Sequence, residues 1–197
     1  MKIDIILAGV GGQGILSIAA SIGMAALDYG LYLKQAEVHG MSQRGGAVQS
    51  NLRISSKEIA SDLIPLGNAD LIISLEPMEA LRYLPYLSAT GWLITNMNPV
   101  ENIPDYPDLD ELDKTIKNLP NYIALDADQM AYDAGSKKST NMVVLGAASS
   151  FIEIPFSLFE QGIKKIFSRK GEEVVNINLK ALRKGREYSE DMRKQST

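Results

Sequence analysis

The sequence predicts an α/β fold with a three-layer, Rossmann-like sheet that is mostly parallel, contains one antiparallel strand and carries helices on both faces. Short apolar runs alternate along the chain with segments of helical periodicity, and a glycine-rich turn directly follows the first run. Segment 48–54 is reached through a loop and alternates like a strand with one wetter face, which predicts the antiparallel strand. We expect a single domain over residues 1–197, with a helical segment near 156–197.

The first half of the chain contains four of the expected strands. Segment 3–8 is a short apolar run, typical of a strand buried on both faces. Apolar residues at helical spacing follow the glycine turn until Gly30, and Glu76 with Pro77 is typical of the first turn of a helix. The polar composition of 37–46 predicts a loop. These four strands are expected at 3–8, 31–36, 48–54 and 69–75.

The second half of the chain continues the alternation of strands and helices. Three prolines between 97 and 107 predict a surface connection. Segment 139–151 is too apolar for a surface helix, so we expect it to be buried. The remaining strands are expected at 91–96 and 122–125, and the remaining helices at 108–119, 156–168 and 177–194.

Composition excludes several kinds of chemistry. The 197 residues are 45% apolar and 22% charged, with no cysteine and a single histidine, His39. A chain without cysteine carries no iron–sulfur cluster, no cysteine nucleophile and no disulfide, and we expect no metal site. A redox centre must therefore be an organic cofactor or lie on another chain. The net charge of −4 argues against nucleic-acid binding, which needs a basic face.

One long uncharged stretch resembles a membrane span in its hydropathy. The 23 residues between Asp4 and Asp28 are uncharged and long enough to cross a bilayer. Five of them are glycines, and those between Gly9 and Gly14 would break a continuous helix. A strand, a loop and a helix explain the stretch better, so we expect no membrane association and a cytoplasmic protein.

The glycine turn is the first candidate site. Gly9, Gly11, Gly12, Gln13 and Gly14 belong to a G-x-G-x-x-G pattern between a strand and a helix. Glycines permit close backbone approach, and free amides at a helix N-terminus attract an anion. In a dinucleotide-binding fold, an acidic residue after the second strand binds the ribose, and Glu37 lies near the expected distance. A tight turn without a ligand remains an open alternative.

The loop at 37–46, EVHGMSQRGG, is the second candidate site. It should lie at the carboxyl edge of the sheet beside the glycine turn, where α/β folds bind ligands. Arg44 could hold a phosphate or carboxylate with two hydrogen bonds, and Glu37 could orient His39. A single histidine argues against a hydrolytic triad, and a loop whose polar groups only bond to one another remains open. The candidate catalytic residues are Glu37, His39 and Arg44, and the candidate ligand-binding residues of the loop are Ser42, Gln43, Gly45 and Gly46.

Four segments together carry a family resemblance: DIILAGVGGQGIL, AEVHGMSQRGGAVQSNLRIS, ADLIISLEPMEALRYLPYL and NMVVLGA. They resemble the gamma-type domain of the 2-oxoacid:acceptor oxidoreductases, the group that includes the pyruvate and ketoisovalerate enzymes. The combination of the glycine turn with HGMSQRGG is similar to the indolepyruvate branch, whose small subunit this chain resembles over most of its length.

The resemblance implies a subunit of an enzyme that oxidatively decarboxylates a 2-oxoacid, here an arylpyruvate, forms acyl-coenzyme A and passes electrons to ferredoxin. Thiamine diphosphate and iron–sulfur clusters would belong to a large partner subunit, and coenzyme A would be the co-substrate. This chain would hold no cofactor alone and would be inactive alone. The two candidate sites would face the shared active-site region or the large subunit.

Two other functions remain open. The glycines and Glu37 also suit a free-standing oxidoreductase that binds NAD(P) or a flavin, although HGMSQRGG has no role in it. Alternatively, the chain is a purely structural subunit whose glycine turns only shape an interface, and when isolated it could form a homo-oligomer.

Overall fold

The computed structural model describes residues 1–39, 45–101 and 103–195. Its six strands are β1 Lys2–Val10, β2 Tyr32–His39, β3 Ala47–Ser55, β4 Ala69–Ser74, β5 Leu87–Asn96 and β6 Tyr122–Leu125. They form one sheet in the order β2-β3-β1-β4-β5-β6. Strands β1, β4, β5 and β6 are mutually parallel, whereas β3 is antiparallel to both of its neighbours, β1 and β2. The predicted mostly parallel sheet with an antiparallel strand at 48–54 is confirmed.

Helices follow most of the strands. Within the described ranges the α-helices are α1 Ile15–Asp28, α2 Pro77–Arg82, α3 Leu109–Lys117, α4 Ala127–Ala134, α5 Thr140–Ser149, α6 Phe156–Phe167 and α7 Glu172–Gln195. Short 3₁₀ helices occupy Leu84–Tyr86, Lys137–Ser139 and Ser168–Lys170. None of the described helices is both long and apolar enough to cross a bilayer.

The core has two apolar layers because successive side chains of a strand point to opposite faces of the sheet. Ile5 and Leu7 of β1 belong to the larger layer, which includes residues of α1, α5, α6 and α7. Ile6, between them, belongs to a smaller layer with Ala80 of α2 and Ile116 of α3. Helices therefore cover both faces of the sheet, which confirms the predicted three layers.

Three boundaries differ from the sequence prediction by three residues or more. β2 continues to His39 instead of ending at residue 36, because it pairs with β3 over eight consecutive residues. β5 begins at Leu87, four residues early, and α7 begins at Glu172. The predicted loop at 37–46 was therefore wrong over its first three residues, which belong to a strand.

The prediction missed α4 altogether. Its sequence, ADQMAYDA, is short and half polar, so helical periodicity is weak. A local signal was nonetheless present, because Asp126 caps the helix by accepting a hydrogen bond from the Gln129 amide at 2.9 Å. An Asp three residues before a Gln is typical of a helix start.

The polarity of the strands determines where functional residues gather. β1, β4, β5 and β6 end at the same edge of the sheet, and β2 ends there too because it is antiparallel to β3. The glycine turn after β1, the start of α2 and the segment after β2 therefore share this carboxyl edge. Ligands of open α/β sheets bind at such an edge.

Candidate functional site

The side chain of Gln13 holds the glycine turn in place. Its Oε1 accepts a hydrogen bond from the Val10 amide at 2.7 Å, and its Nε2 donates to the Leu75 carbonyl at 2.9 Å. A Cβ on Gly9 would lie 2.8 Å from that Oε1, so glycine leaves room for the amide group. The side chain thereby connects the carboxyl ends of β1 and β4.

Position 14 requires glycine because of its backbone conformation and because of the neighbouring side chain of Asn141. It caps α1 with φ at +90°, in the left-handed region that favours glycine. A Cβ there would lie 2.5 Å from Nδ2 of Asn141, which donates to the Gly14 carbonyl at 3.2 Å. Asn141 lies in the first turn of α5, so this contact holds the start of α5 against the start of α1.

The structure places Gly45 and Gly46 of the second candidate site against the glycine turn. The Gly11 amide donates to the Gly46 carbonyl at 2.8 Å, and the Gly45 amide donates to the Gly11 carbonyl at 3.4 Å. The end of the 37–46 segment therefore lies directly beside the glycine turn. Three of its predicted site residues, Ser42, Gln43 and Arg44, lie outside the described residues, as does the side chain of His39.

Glu37 lies further from the glycine turn than a dinucleotide site requires. It is half-buried on β2, where Oε2 accepts a hydrogen bond from Gln35 Nε2 at 3.3 Å. Its register partner is Ser50 of β3, which in turn pairs with Leu7 of β1. Two strand spacings, about 10 Å, therefore separate the Glu37 backbone from β1. In the dinucleotide-binding pattern the two strands are adjacent.

Several amides of the turn already have protein acceptors. The Gly11 amide bonds to Gly46, and the Gln13 amide bonds to the Val10 carbonyl at 3.1 Å. Gly12, in contrast, is exposed, and a Cβ on it would meet no atom within 4 Å. The side of the turn that is open to a ligand is therefore the side of Gly12.

A cavity of about 310 Å³ adjoins Gly12 and contains two lysines. Lys137 and Lys138 are exposed on a 3₁₀ helix, where the Ser136 hydroxyl accepts a hydrogen bond from the Lys138 amide at 3.2 Å. Thr140 Oγ1 lies 2.9 Å from Asp128 Oδ1. Two cations beside an open glycine turn favour an anionic ligand. The cavity is lined by Gly12, Gln13, Leu75, Asp128, Lys137, Lys138, Thr140 and Asn141.

The sequence prediction missed the two lysines. They lie 123 and more residues after Gly14, so only the tertiary fold brings them to the turn. The available signal was local: Gly135 and Ser136 interrupt the chain just before the lysine pair. Gly135 adopts φ at +124° after α4, which places the following 3₁₀ helix at the carboxyl edge. In the part of the chain that the structure describes, no cluster of acidic or histidine side chains could hold a metal ion.

The polar side chains of Glu76, just after β4, and Asn96, at the end of β5, make hydrogen bonds to other parts of the protein. Glu76 is fully buried and caps α2 by accepting a hydrogen bond from the Glu79 amide at 2.7 Å. It also accepts one from the Tyr106 hydroxyl. Burial and this hydrogen bond raise the pKa of Tyr106, so the phenol keeps its proton. Asn96 accepts from the Ala127 amide at 3.0 Å, which joins β5 to α4.

Comparison with known proteins gives a consistent picture over the whole chain. The family model of pyruvate ferredoxin/flavodoxin oxidoreductase matches residues 4–188. The indolepyruvate oxidoreductase subunit IorB of Archaeoglobus fulgidus is 38% identical over 194 residues, covering 94% of each chain. The subunit of the same name from Thermococcus kodakarensis is 36% identical and covers 96% of each chain.

A solved structure confirms the fold. The 2-oxoglutarate:ferredoxin oxidoreductase of Magnetococcus marinus, with 2-oxoglutarate, coenzyme A and succinyl-CoA bound, matches with a TM-score of 0.77 at 24% identity. The match covers 96% of this chain but only 31% of that one. In that protein the same fold is therefore one part of a polypeptide about three times as long.

Proposed function

Because this chain belongs to the pyruvate ferredoxin/flavodoxin oxidoreductase family, we propose that it is the small subunit of an indolepyruvate ferredoxin oxidoreductase. The observation that carries the proposal is the similarity to IorB, which spans 94% of both chains. The complex would convert an arylpyruvate and coenzyme A to acyl-coenzyme A and carbon dioxide in the cytoplasm, with ferredoxin as the electron acceptor.

The redox cofactors belong to the large partner subunit in this proposal. This chain has no cysteine, so its residues do not suit an iron–sulfur cluster, and thiamine diphosphate is assigned to the same partner. Its own contribution is the carboxyl edge, where Gly9, Gly11, Gly12 and Gly14 shape the turn and Gln13 fixes it. The neighbouring segment would meet the partner or the substrates through Glu37, His39, Ser42, Gln43, Arg44, Gly45 and Gly46.

The cavity that Lys137 and Lys138 line gives the carboxyl edge of the sheet a chemical role. Coenzyme A is the anionic co-substrate of the proposed reaction, and its phosphate groups suit the ammonium groups of Lys137 and Lys138. The exposed side of Gly12 allows a phosphate to approach the backbone closely. We assign to this cavity the binding of a coenzyme A phosphate, without any bond-making step.

The test uses the complex of this chain with its large subunit, assayed anaerobically for arylpyruvate- and coenzyme-A-dependent reduction of a ferredoxin-like dye. The double variant Lys137→Ala/Lys138→Ala should raise the KM for coenzyme A about tenfold, since two phosphate contacts are lost, and leave the KM for the arylpyruvate unchanged. A complex without arylpyruvate activity would refute the proposed function.

The matched control is Lys57→Ala/Lys180→Ala, which removes two exposed lysines outside the cavity lining. Its KM for coenzyme A should equal that of the parent complex. If both double variants behave alike, the cavity does not bind coenzyme A, whatever the activity of the complex.

A further inference from the structure

A second cavity, of about 610 Å³, lies between the start of β6 and the last turns of α7. β6 begins at Tyr122, so this cavity adjoins the amino edge of the sheet, opposite the edge with the glycine turn. Its volume falls within the roughly 300–1,000 Å³ that small-molecule pockets usually have. It shares no lining residue with the cavity beside Gly12. We call it the amino-edge cavity, and its lining includes Trp92, Tyr122, Met192, Glu190, Arg193 and Lys194.

The amino-edge cavity has an aromatic wall. Trp92 of β5 and Tyr122 of β6 both line it, and both are half-buried. The Trp92 ring packs against Phe151, with the ring centroids 4.7 Å apart and the ring planes tilted by 41°. Aromatic pairs prefer such offset or tilted contacts, and this one restricts the motion of the indole. A ligand ring that enters the cavity therefore meets an aromatic surface that is already ordered.

Two cations lie beside this aromatic wall. The Arg193 guanidinium lies over the Phe151 ring, 4.8 Å from its centroid, and its Nη1 donates to the Ser150 carbonyl at 2.9 Å. These contacts hold the positive charge of Arg193 in place. Lys194 adds a second charge, and it pairs at 3.1 Å with Asp191, with the two side chains 75% and 67% exposed. Exposed ion pairs are weak, so Lys194 can turn towards an anion in the cavity.

Glu190 is the acidic residue of the lining, and its charge is balanced within the protein. Its Oε1 accepts a hydrogen bond from Nε of Arg186 at 2.6 Å. Arg186 is itself held over the Phe156 ring, 4.6 Å from the ring centroid. Arg193 and Lys194 therefore leave the lining with an excess of positive charge. An aromatic wall beside positive charge suits a ligand that has both a flat ring and an anionic group.

We propose that the amino-edge cavity binds a small aromatic carboxylate, whose ring packs against Trp92 and whose carboxylate accepts hydrogen bonds from Arg193 and Lys194. The cavity only binds this ligand, and no bond of the ligand is made or broken there. An inorganic anion would leave the aromatic wall unused, and an uncharged ring would leave the two cations unused. The inference goes beyond the proposed function and does not depend on it, because it concerns residues at the other edge of the sheet.

The test uses the fluorescence of Trp92, the single tryptophan of the chain. Phenylacetate is the probe, because it has a ring and a carboxylate but lacks the oxo group of a 2-oxoacid. Titration of the purified chain should change the Trp92 emission saturably, with a Kd of about 1 mM or lower. Equilibrium dialysis with labelled phenylacetate should give the same Kd without relying on fluorescence. No saturable binding by either method up to about 20 mM would overturn the inference.

Variants of the two cations test the contacts of the carboxylate. Arg193→Gln/Lys194→Gln should raise the Kd for phenylacetate at least tenfold, because both charged donors are lost. Lys194→Glu leaves the contacts of Arg193 with Phe151 and Ser150 intact and should raise the Kd several-fold. This single variant decides the question if the double variant does not fold.

The matched control is Arg169→Gln/Lys170→Gln, which removes an exposed Arg–Lys pair outside the amino-edge cavity. This pair also has a cation over a phenylalanine ring, since Lys170 Nζ lies 5.2 Å from the Phe167 centroid. The Kd of the control should equal that of the parent chain. If the control weakens binding as much as Arg193→Gln/Lys194→Gln does, only the net charge matters, and the inference is overturned.

Ligands with one of the two features separate the ring from the carboxylate. Acetate and benzyl alcohol should each bind at least tenfold more weakly than phenylacetate. Binding of benzyl alcohol as tight as that of phenylacetate would show that the cations have no role, and tighter binding of adenosine monophosphate would assign the cavity to a nucleotide. Either result would overturn the inference. Neither would affect the proposed function, which the dye-reduction assay of the complex tests separately.

Discussion

The amide group of Gln13 makes two hydrogen bonds inside the protein that a loop residue ordinarily makes with water. Replacing it with alanine removes the acceptor of the Val10 amide and leaves the Leu75 carbonyl with only the longer hydrogen bond from Asn96 Nδ2 at 3.4 Å. A buried polar group without a partner lowers stability by about 1–3 kcal/mol. We expect Gln13→Ala to lower the free energy of unfolding by that amount, measured by urea denaturation.

Gln129→Ala is the control for this prediction. Gln129 is exposed on α4, and its Nε2 donates to Asp133 at 2.8 Å at the surface. The change should alter stability by less than about 0.5 kcal/mol. Equal stabilities of the two variants would show that Gln13 is not needed to hold the turn.

Glu79 should make stability depend on pH. It is buried in the first turn of α2, and burial raises its pKa above the ordinary value of 4.5, with a smaller opposing effect from Arg82. The native state therefore keeps the proton to higher pH than the unfolded chain. Glu79 therefore contributes to the free energy of unfolding below pH 4.5. This contribution is lost as the pH rises through the pKa that Glu79 has in the native state.

Glu79→Gln should remove this loss, because glutamine does not ionise. In urea denaturation at several pH values, the stability of the variant relative to the parent should increase from pH 4.5 upwards. Glu153→Gln, at an exposed glutamate, is the control for removing one carboxylate from the chain. A constant difference between Glu79→Gln and the parent across this range would mean that Glu79 ionises normally.

At the scale of single residues, the sequence predicted local residue types but not contacts between distant parts of the chain. Glycine at position 14 follows from the strand-to-helix turn, and its positive φ confirms the reason for it. Its contact with Asn141 spans 127 residues, and no local pattern encodes such a pairing. The same limit explains why Lys137 and Lys138 were missed.

The crossing of α5 and α7 depends on two glycines. A Cβ on Gly185 would lie 1.8 Å from the Val143 carbonyl oxygen, and one on Gly146 would lie 1.9 Å from the Leu182 carbonyl oxygen. Alanine at either position must separate two helix backbones that are in direct contact. Although alanine favours a helix by about 1 kcal/mol over glycine, we expect Gly185→Ala to destabilise the protein by about 3 kcal/mol.

Gly162→Ala provides a graded comparison for thermal unfolding. A Cβ there would lie 3.3 Å from the Ser21 carbonyl oxygen, so a small shift of α6 accommodates it. The loss of melting temperature should be much smaller than for Gly185→Ala. If Gly185→Ala is as stable as the parent, the two helices do not touch as closely as the structure indicates.

Strands and helices were predictable where the periodicity of apolar residues was strong. The strand at 122–125 and the helix at 156–168 agree with β6 and α6 within one residue. The end of β2 was not predictable, because Glu37 and His39 are polar and become strand only through pairing with β3. At the end of β2, the hydrogen bonds to β3 therefore outweigh the polar composition of the segment.

At the scale of the whole molecule, the sequence predicted the antiparallel strand but not its position in the sheet. Strand direction follows from the short connection between β2 and β3, since a crossover to a parallel neighbour needs a dozen or more residues. The insertion of β3 between β2 and β1 is a property of the complete sheet. That insertion bears directly on the alternative function as a dinucleotide-binding oxidoreductase.

A dinucleotide site needs the carboxylate after β2 beside the glycine turn, and β3 separates the two here. The Gln13 side chain also lies against Gly9, where a Cβ would meet its oxygen at 2.8 Å. We therefore expect the isolated chain to show no saturable binding of NADH or FAD up to about 1 mM in fluorescence titrations, with a known dehydrogenase as positive control. Saturable binding that Glu37→Ala weakens would contradict this expectation, because it would require the carboxylate to reach the ligand across β3.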